Sequence, residues 1–367
     1  MSSVTGTMHF SIRQALRNPL TIDVLRKHNV MYLDKGLIVI NKPSGLVSQG
    51  TIDEQKKEGT VQVAIDDIRP ALGLKEGPFP IHRLDKPTTG TFILATTAVQ
   101  AKALSRAFMH KESSDNIRRT AIKRYIALVY TGSPEIDRGV LNDLVRGAIK
   151  IDPSSNGLTT PVETIFSQTD INRFRLDLHT NINGRVSLWK EISGDFTPLD
   201  IDHELRRKRV AISQVDILSS SAQHPIALVG MRLYTGIKHQ LRVTLASHLK
   251  IPVLGDELYG QGFEESLLPP KLVPPNKLML HASSVSLQRF KNKKPFWFHI
   301  CARPPQEFLD ICHRSGIDVP LPLRNGGVWY DTENVANIIK WDDEYDKNFM
   351  EDTSGVFAVE GAWLSTM

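Results

Sequence analysis

The sequence predicts an α+β fold, on three observations. Apolar, β-branched runs at 36–40, 92–96, 123–130, 226–234 and 278–287 read as strands. Stretches at helical spacing at 60–68, 98–110 and 239–250 read as helices among them. A chain of 367 residues, 41% apolar and 23% charged, has the composition of a globular protein and the length for a sizeable core.

Residues 1–33 stand apart as an N-terminal extension. Arg13, Arg17, Arg26 and Lys27 are set against a single acid, Asp23, and Phe10, Ile12, Leu16 and Leu20 can share part of a helix face. This composition fits a mitochondrial targeting segment; a basic arm packed on the domain or binding RNA is the alternative, with a cytoplasmic protein. The strand at 36–40 runs into the turn Asn41-Lys42-Pro43-Ser44-Gly45. Residues 51–59 are polar and charged and read as an exposed loop. Thr60 caps a helix that Pro70 ends. The strand at 92–96 is followed by a helix on which Val99, Leu104, Ala107 and Phe108 fall close to helical spacing, and 123–130 is a strong strand.

Residues 131–206 give little periodicity. They hold a turn at 153–157 and the cations Arg173 and Arg175, and run into Arg206-Arg207-Lys208-Arg209, read as a solvated charge run ahead of a phosphate-facing one. At 289–298 basic and aromatic residues interleave (Arg289, Lys291, Lys293, Lys294, Phe296, Trp297). That pattern suits phosphate neutralisation with base stacking, and equally a basic hairpin before a core strand. Beyond Arg303 a C-terminal extension, 304–367, turns acidic at Asp342, Asp343, Glu344 and Asp346.

Net charge is +5, a mild basic bias that permits an anionic partner. No apolar run approaches the roughly 20 residues of a membrane helix, so no membrane partner is expected. The two cysteines, Cys301 and Cys312, argue against a disulfide framework, and neither has zinc-site spacing. No Gly-rich phosphate cradle follows a strand. Neither metal nor organic cofactor is expected, and a monomer is the default.

The densest chemistry is His82-Arg83-Leu84-Asp85-Lys86-Pro87-Thr88-Thr89-Gly90. It puts one carboxylate among cations at a loop that Pro87 and Gly90 keep irregular. Cations favour the charged carboxylate, and a loop on a rigid scaffold can present it as a nucleophile. The nonapeptide alone fits a surface turn as well.

This stretch resembles the HRLDxxTSG signature of the RluA branch of pseudouridine synthases, enzymes that isomerise uridine in RNA. Other segments resemble that family in order: 37–46 (LIVINKPSGL), 123–129 (KRYIALV), 236–242 (GIKHQLR) and 252–260 (PVLGDELYG), together spanning about 34 to 300. The resemblance implies one catalytic domain at 34–303, built on a long, mixed but mostly antiparallel sheet with flanking helices and a central cleft. The 131–206 stretch is then an insertion. It also implies that Asp85 is the catalytic residue, attacking C1′ or C6 or removing the 2′ proton. Tyr125 would lie against the uracil as a stacking platform. Arg242 would pair with Asp85 and orient it. Arg83 would fill the gap left by the flipped uridine. His82 would shape the turn or contact phosphate, Lys238 and Lys250 would bind phosphate, His239 would lie on the RNA side, and Leu241 would pack under the base. Ile237, Thr244 and Thr89 depart from the family pattern without touching Asp85, Tyr125 or Arg242.

The function expected is uridine-to-pseudouridine isomerisation, on mitochondrial large-subunit rRNA similar to the substrate of fungal mitochondrial enzymes. The rivals are a tRNA substrate, a non-catalytic RNA-binding or ribosome-assembly factor on the same fold, and a glycosidase. The last needs a second acid beside Asp85. Asp256 is the candidate, and the sequence assigns it to turn chemistry instead.

Overall fold

The computed structural model describes residues 12–48, 59–108, 121–132, 173–180, 185–191, 209–261, 268–291, 294–331, 349–351 and 357–359. In chain order it has α1 (Ile12–Leu16), α2 (Pro19–Lys27), β1 (Val30–Leu33), β2 (Leu37–Lys42), α3 (Val61–Ala71), β3 (Phe79–Pro80), β4 (Thr89–Ala95), α4 (Ala98–Phe108) and β5 (Ala121–Tyr130). Then come β6 (Arg173–Thr180), β7 (Val186–Glu191), β8 (Arg209–Ser220), β9 (Ile226–Leu233) and α5 (Gln240–Val243), which passes into a π-helical turn, Thr244–His248. The chain closes with β10 (Leu280–Lys291), β11 (Lys294–Cys301), α6 (Gln306–Arg314), α7 (Leu321–Asn325), β12 (Gly327–Asp331), β13 (Phe349–Glu351) and β14 (Phe357–Val359).

The described strands form one 14-stranded sheet. Its main path is β13-β14-β1-β2-β4-β10-β5-β9-β8-β6-β7, with β3 on β4, β11 on β10 and β12 on β11. Only β1–β14 and β4–β10 pair in parallel; the other strand pairs are antiparallel. The fold is therefore α+β with a mixed, mostly antiparallel sheet.

The two-residue alternation of strands sorts side chains onto the two faces. Leu37, Val39, Ile93 and Ala95 pack in one apolar cluster with Leu104 of α4. Ile38, Ile40, Phe92 and Leu94 pack in the other with Ile65 and Ile68 of α3 and Phe308 and Ile311 of α6. Strand β4 is buried at every position. Its parallel start against β10 sets Gly90 opposite Ala282. Gly90 has φ +111°, and a Cβ there would run into the Ala282 carbonyl, so this close approach needs glycine.

Several elements differ from the sequence reading. The helix expected at 239–250 is α-helical only over Gln240–Val243. The Thr244 hydroxyl donates to the Gln240 carbonyl at 2.9 Å, and the ladder widens into the π turn there. Helix α3 starts at its Thr60 cap as expected but runs through Pro70 to Ala71, because a proline in the last turn removes little of the ladder. The 289–298 stretch forms the β10–β11 hairpin, the second of its two expected readings, and the unexpected point is that Arg289 is buried against Asp34. Of 131–206, strands β6 and β7 are described, and they widen the sheet beyond β8. Beyond Arg303, α6 packs into the main core, β12 extends the sheet and β14 lies beside β1. The loop at 51–58, the turn at 153–157, the tract 206–208, the acidic residues 342–346 and the side chains of Arg173, Arg175, Lys291 and Lys294 lie outside the described residues.

Candidate active site

The loop bearing Asp85 joins β3 to β4 and is tied down from three sides. The Ser48 hydroxyl donates to the Leu84 carbonyl at 2.6 Å and accepts from the Leu84 N–H at 3.0 Å. The buried Lys42 ammonium donates to the carbonyls of Pro43, Leu46 and Lys86 at 3.0, 2.8 and 3.2 Å. Burial lowers its pKa to about 8, against the pull of Asp85 in the other direction. Within the loop, Thr88 N–H donates to the Asp85 carbonyl at 3.0 Å.

His82 sits behind the loop. Its Nε2 accepts the Ile93 N–H at 2.9 Å, and its ring packs on Phe92 and Phe108. Burial, helped by the charge of Lys123, lowers its pKa to about 3, so the ring is neutral and serves the turn. Thr89 bonds His281 Nδ1 at 2.8 Å, while His281 Nε2 meets the Ala302 carbonyl at 3.0 Å. A carbonyl only accepts, so His281 carries its proton on Nε2 and the threonine hydroxyl donates to Nδ1.

The opposite wall is the 236–242 segment. Gln240 is buried at its centre. Its Oε1 accepts from Thr235 Oγ1 and Ile237 N–H, and its Nε2 donates to the Ile212 carbonyl and Ser213 Oγ, pinning the segment to β8. His239 takes the left-handed conformation, φ +57°, which costs a non-glycine residue about 1 kcal/mol or more and turns the chain into α5. Arg242 then reaches back under the loop. Its Nε and Nη2 grip the two oxygens of Asp256 at 2.8 and 2.7 Å, while its Nη1 stands 3.7 Å from Asp85 Oδ2.

Asp256 has the turn role expected of it and a second one besides. It does serve its turn, accepting from the Leu258 and Tyr259 N–H groups at 3.0 Å each. It is also the bidentate partner of Arg242, whose expected partner was Asp85. Burial opposes the charge on Arg242, and the Asp256 carboxylate outweighs it, so its pKa is raised. His239 Nε2 is 3.8 Å from the same Asp85 oxygen.

Eight of the nine residues given a site role from the sequence (His82, Arg83, Asp85, Tyr125, Lys238, His239, Leu241 and Arg242) line one cavity of about 640 Å³, a volume suited to a small ligand or a single nucleotide. Asp85 is the one carboxylate among its described lining residues. Tyr125 is buried at its floor, and its phenol is raised well above its ordinary pKa by burial and then by Asp85. It therefore offers a neutral ring face and is a poor proton acceptor. Arg83 is exposed at the rim, and Lys250 is not among the lining residues.

Lys42, Gln240, Tyr259 and Lys123 escaped the sequence reading as site residues. Lys123 lines the cavity one strand repeat from Tyr125, and burial lowers its pKa to about 8. Their signal was membership of the same motif segments and nothing in periodicity or charge. Among the described residues no cluster of His, Cys, Asp or Glu is placed to hold a metal ion.

A family model described as RNA pseudouridylate synthase matches residues 36–247. The mitochondrial pseudouridylate synthase RPUSD4 of Bos taurus is 28% identical over 311 residues, covering 79% of this chain and 70% of that protein. The ribosomal large subunit pseudouridine synthase C of Rickettsia conorii is 27% identical over 294 residues, covering 77% and 72%. The solved structure of human RNA pseudouridylate synthase domain containing 4 matches with a TM-score of 0.52 at 23% identity, over 82% of this chain and 98% of that one, a likeness of fold. With three of the five signature segments lining one cavity and the family model spanning four of them, the chain belongs to the RNA pseudouridylate synthase family, in its RluA-type branch.

Proposed function

We propose that this pseudouridine synthase acts on mitochondrial large-subunit rRNA, with Asp85 as its nucleophile. The observation that carries the second part is that Asp85 is the one carboxylate among the described lining of the cavity, with Arg242 Nη1 and His239 Nε2 against its Oδ2. The reaction breaks the N1–C1′ bond, turns the uracil and rejoins it through C5. It needs a nucleophile or charge stabiliser at the sugar or at C6, the role this reading gives to Asp85. Tyr125 gives the freed uracil a flat neutral face, and Leu241 an apolar one.

A uridine in folded RNA must leave its stack to enter such a cavity. Arg83, exposed at the rim, has a flat guanidinium suited to the vacated place, and Lys238 is a cation on the opposite wall for backbone phosphate. Two observations support the substrate and the compartment. The bovine relative is named as mitochondrial and the rickettsial one as a ribosomal large-subunit enzyme. The basic composition at the start of the chain also fits targeting, while Leu25 of α2 lies in the main core and β1 lies in the sheet, so 19–33 belong to the folded domain and not to an extension.

The test is a pseudouridine map of total RNA, by carbodiimide adduct and primer-extension stops, in cells with the intact gene against cells with only Asp85→Asn. Loss of one stop from mitochondrial large-subunit rRNA is the expected result. A stop lost from tRNA keeps the nucleophile and overturns the substrate. No stop lost, with stable variant protein, overturns the nucleophile.

A further inference from the structure

We propose that Tyr259 is a positioning residue: its phenol donates to His239 Nδ1, holds the imidazole proton on Nε2, and so turns an N–H toward Asp85 Oδ2. The inference rests on the reading of Asp85 as the reacting group.

The geometry is a chain of contacts. Tyr259 Oη is 2.9 Å from His239 Nδ1, and the two rings meet edge to face at 5.6 Å. The Val186 N–H donates to the same Oη at 3.2 Å. A phenol has one proton to give, and with Val186 donating to the oxygen, Nδ1 is the acceptor that the geometry offers. Burial raises the Tyr259 pKa, so the phenol keeps its proton near neutral pH. A neutral imidazole that accepts at Nδ1 carries its hydrogen on Nε2, the atom 3.8 Å from Asp85. Burial lowers the His239 pKa, with Asp85 and Asp256 pulling it up and Arg242 and Lys238 pushing it down, which keeps the ring neutral at pH 7 and above. The left-handed backbone at His239 is the strain that swings the ring between Tyr259 and Asp85.

Tyr259 is itself held from the 131–206 stretch. Arg185, just before β7, donates to the Leu258 carbonyl at 2.9 Å, and its guanidinium lies 5.5 Å from the Tyr259 ring. Arg242 faces the same ring at 5.1 Å. The β6–β7 hairpin thus gains a role: it fixes the tyrosine that fixes the histidine.

The experiment uses Tyr259→Phe, which keeps the ring and its two guanidinium contacts and deletes the hydroxyl. At pH 8 kcat should fall about tenfold with KM held within about twofold. The deficit should shrink once the pH falls far enough to charge the ring, because a doubly protonated imidazole bears an N–H on Nε2 whatever Nδ1 does. In a His239→Ala background Tyr259→Phe should cost nothing further in kcat. Nitrogen-15 NMR of His239 in the intact protein should show Nε2 protonated and Nδ1 bare, and a mixture of tautomers in Tyr259→Phe. A loss equal at every pH, or undiminished beside His239→Ala, would mean that the tyrosine only supports the fold and would overturn the proposal, as would a proton on Nδ1. The NMR result does not depend on catalysis, so it stands apart from the Asp85→Asn test: turnover surviving in Asp85→Asn sinks the nucleophile, not the tautomer.

Discussion

Among the described residues, two buried arginine–aspartate pairs are put to different use. Asp34 accepts from the Gly36 and Leu37 N–H groups, the Tyr32 hydroxyl and the Arg289 guanidinium, and Arg289 lies 5.2 Å from the Phe298 ring. Asp256 likewise accepts from two backbone N–H groups and an arginine, and that arginine also faces an aromatic ring, Tyr259. The ingredients match, but only the second pair borders the cavity: Arg242 turns Nη1 toward Asp85, a third group outside the pair. Burial of an ion pair is therefore no sign of function by itself. What separates the two is a donor directed past its partner into a cavity.

The comparison can be broken at four places. Asp85→Asn should lower the single-turnover rate by at least about 10³-fold, while the denaturation midpoint stays where it is, because both buried pairs survive. Arg242→Met should cost roughly 3–5 kcal/mol in urea unfolding, by stranding the Asp256 carboxylate, and should also lower the rate of the protein that remains folded. Arg289→Met should cost a similar roughly 3–5 kcal/mol through Asp34, with kcat per folded molecule unchanged. Equal kinetic damage from Arg242 and Arg289 would abolish the distinction drawn here. The fourth concerns pH. A histidine in the unfolded chain titrates near 6.5, while His82 is held to about 3, so the unfolded state alone takes up that proton in between. Stability is complete above pH 6.5 and declines as pH falls toward 3, by up to about 1.4 kcal/mol per unit for this proton. His82→Gln should flatten that part of the curve, measured as urea midpoints from pH 7 to 4.

The central strands were legible because their later parts, 125–130 and 92–95, are buried on both faces and read as apolar runs. Strand β5 (Ala121–Tyr130) and strand β4 (Thr89–Ala95) are of this kind. The nonapeptide around Asp85 was legible as a resemblance, and its neighbours in the cavity followed from the same segments. Three things were not. The bond between Arg242 and Asp256 joins a helix to a turn with no period linking them, and Asp256 already had a sufficient local reason to exist. The α-to-π change at Thr244 depends on one hydroxyl choosing the carbonyl four residues back. Arg289 sits in a run of cations, and charge counting could not tell the one turned inward to Asp34 from those beside it.

Strand β10 (Leu280–Lys291) lies between β4 and β5. The strand that follows Asp85 and the strand that carries Tyr125 are close in sequence, yet they do not pair with each other. Each pairs with a strand that arrives far later in the chain. Closing so long a loop is slow, and the gain comes only when both edges of β10 are satisfied. A nascent chain that stops short of β10 holds both residues without the strand that joins them. The cavity that brings Asp85 and Tyr125 together is then complete only once β10 has joined the sheet.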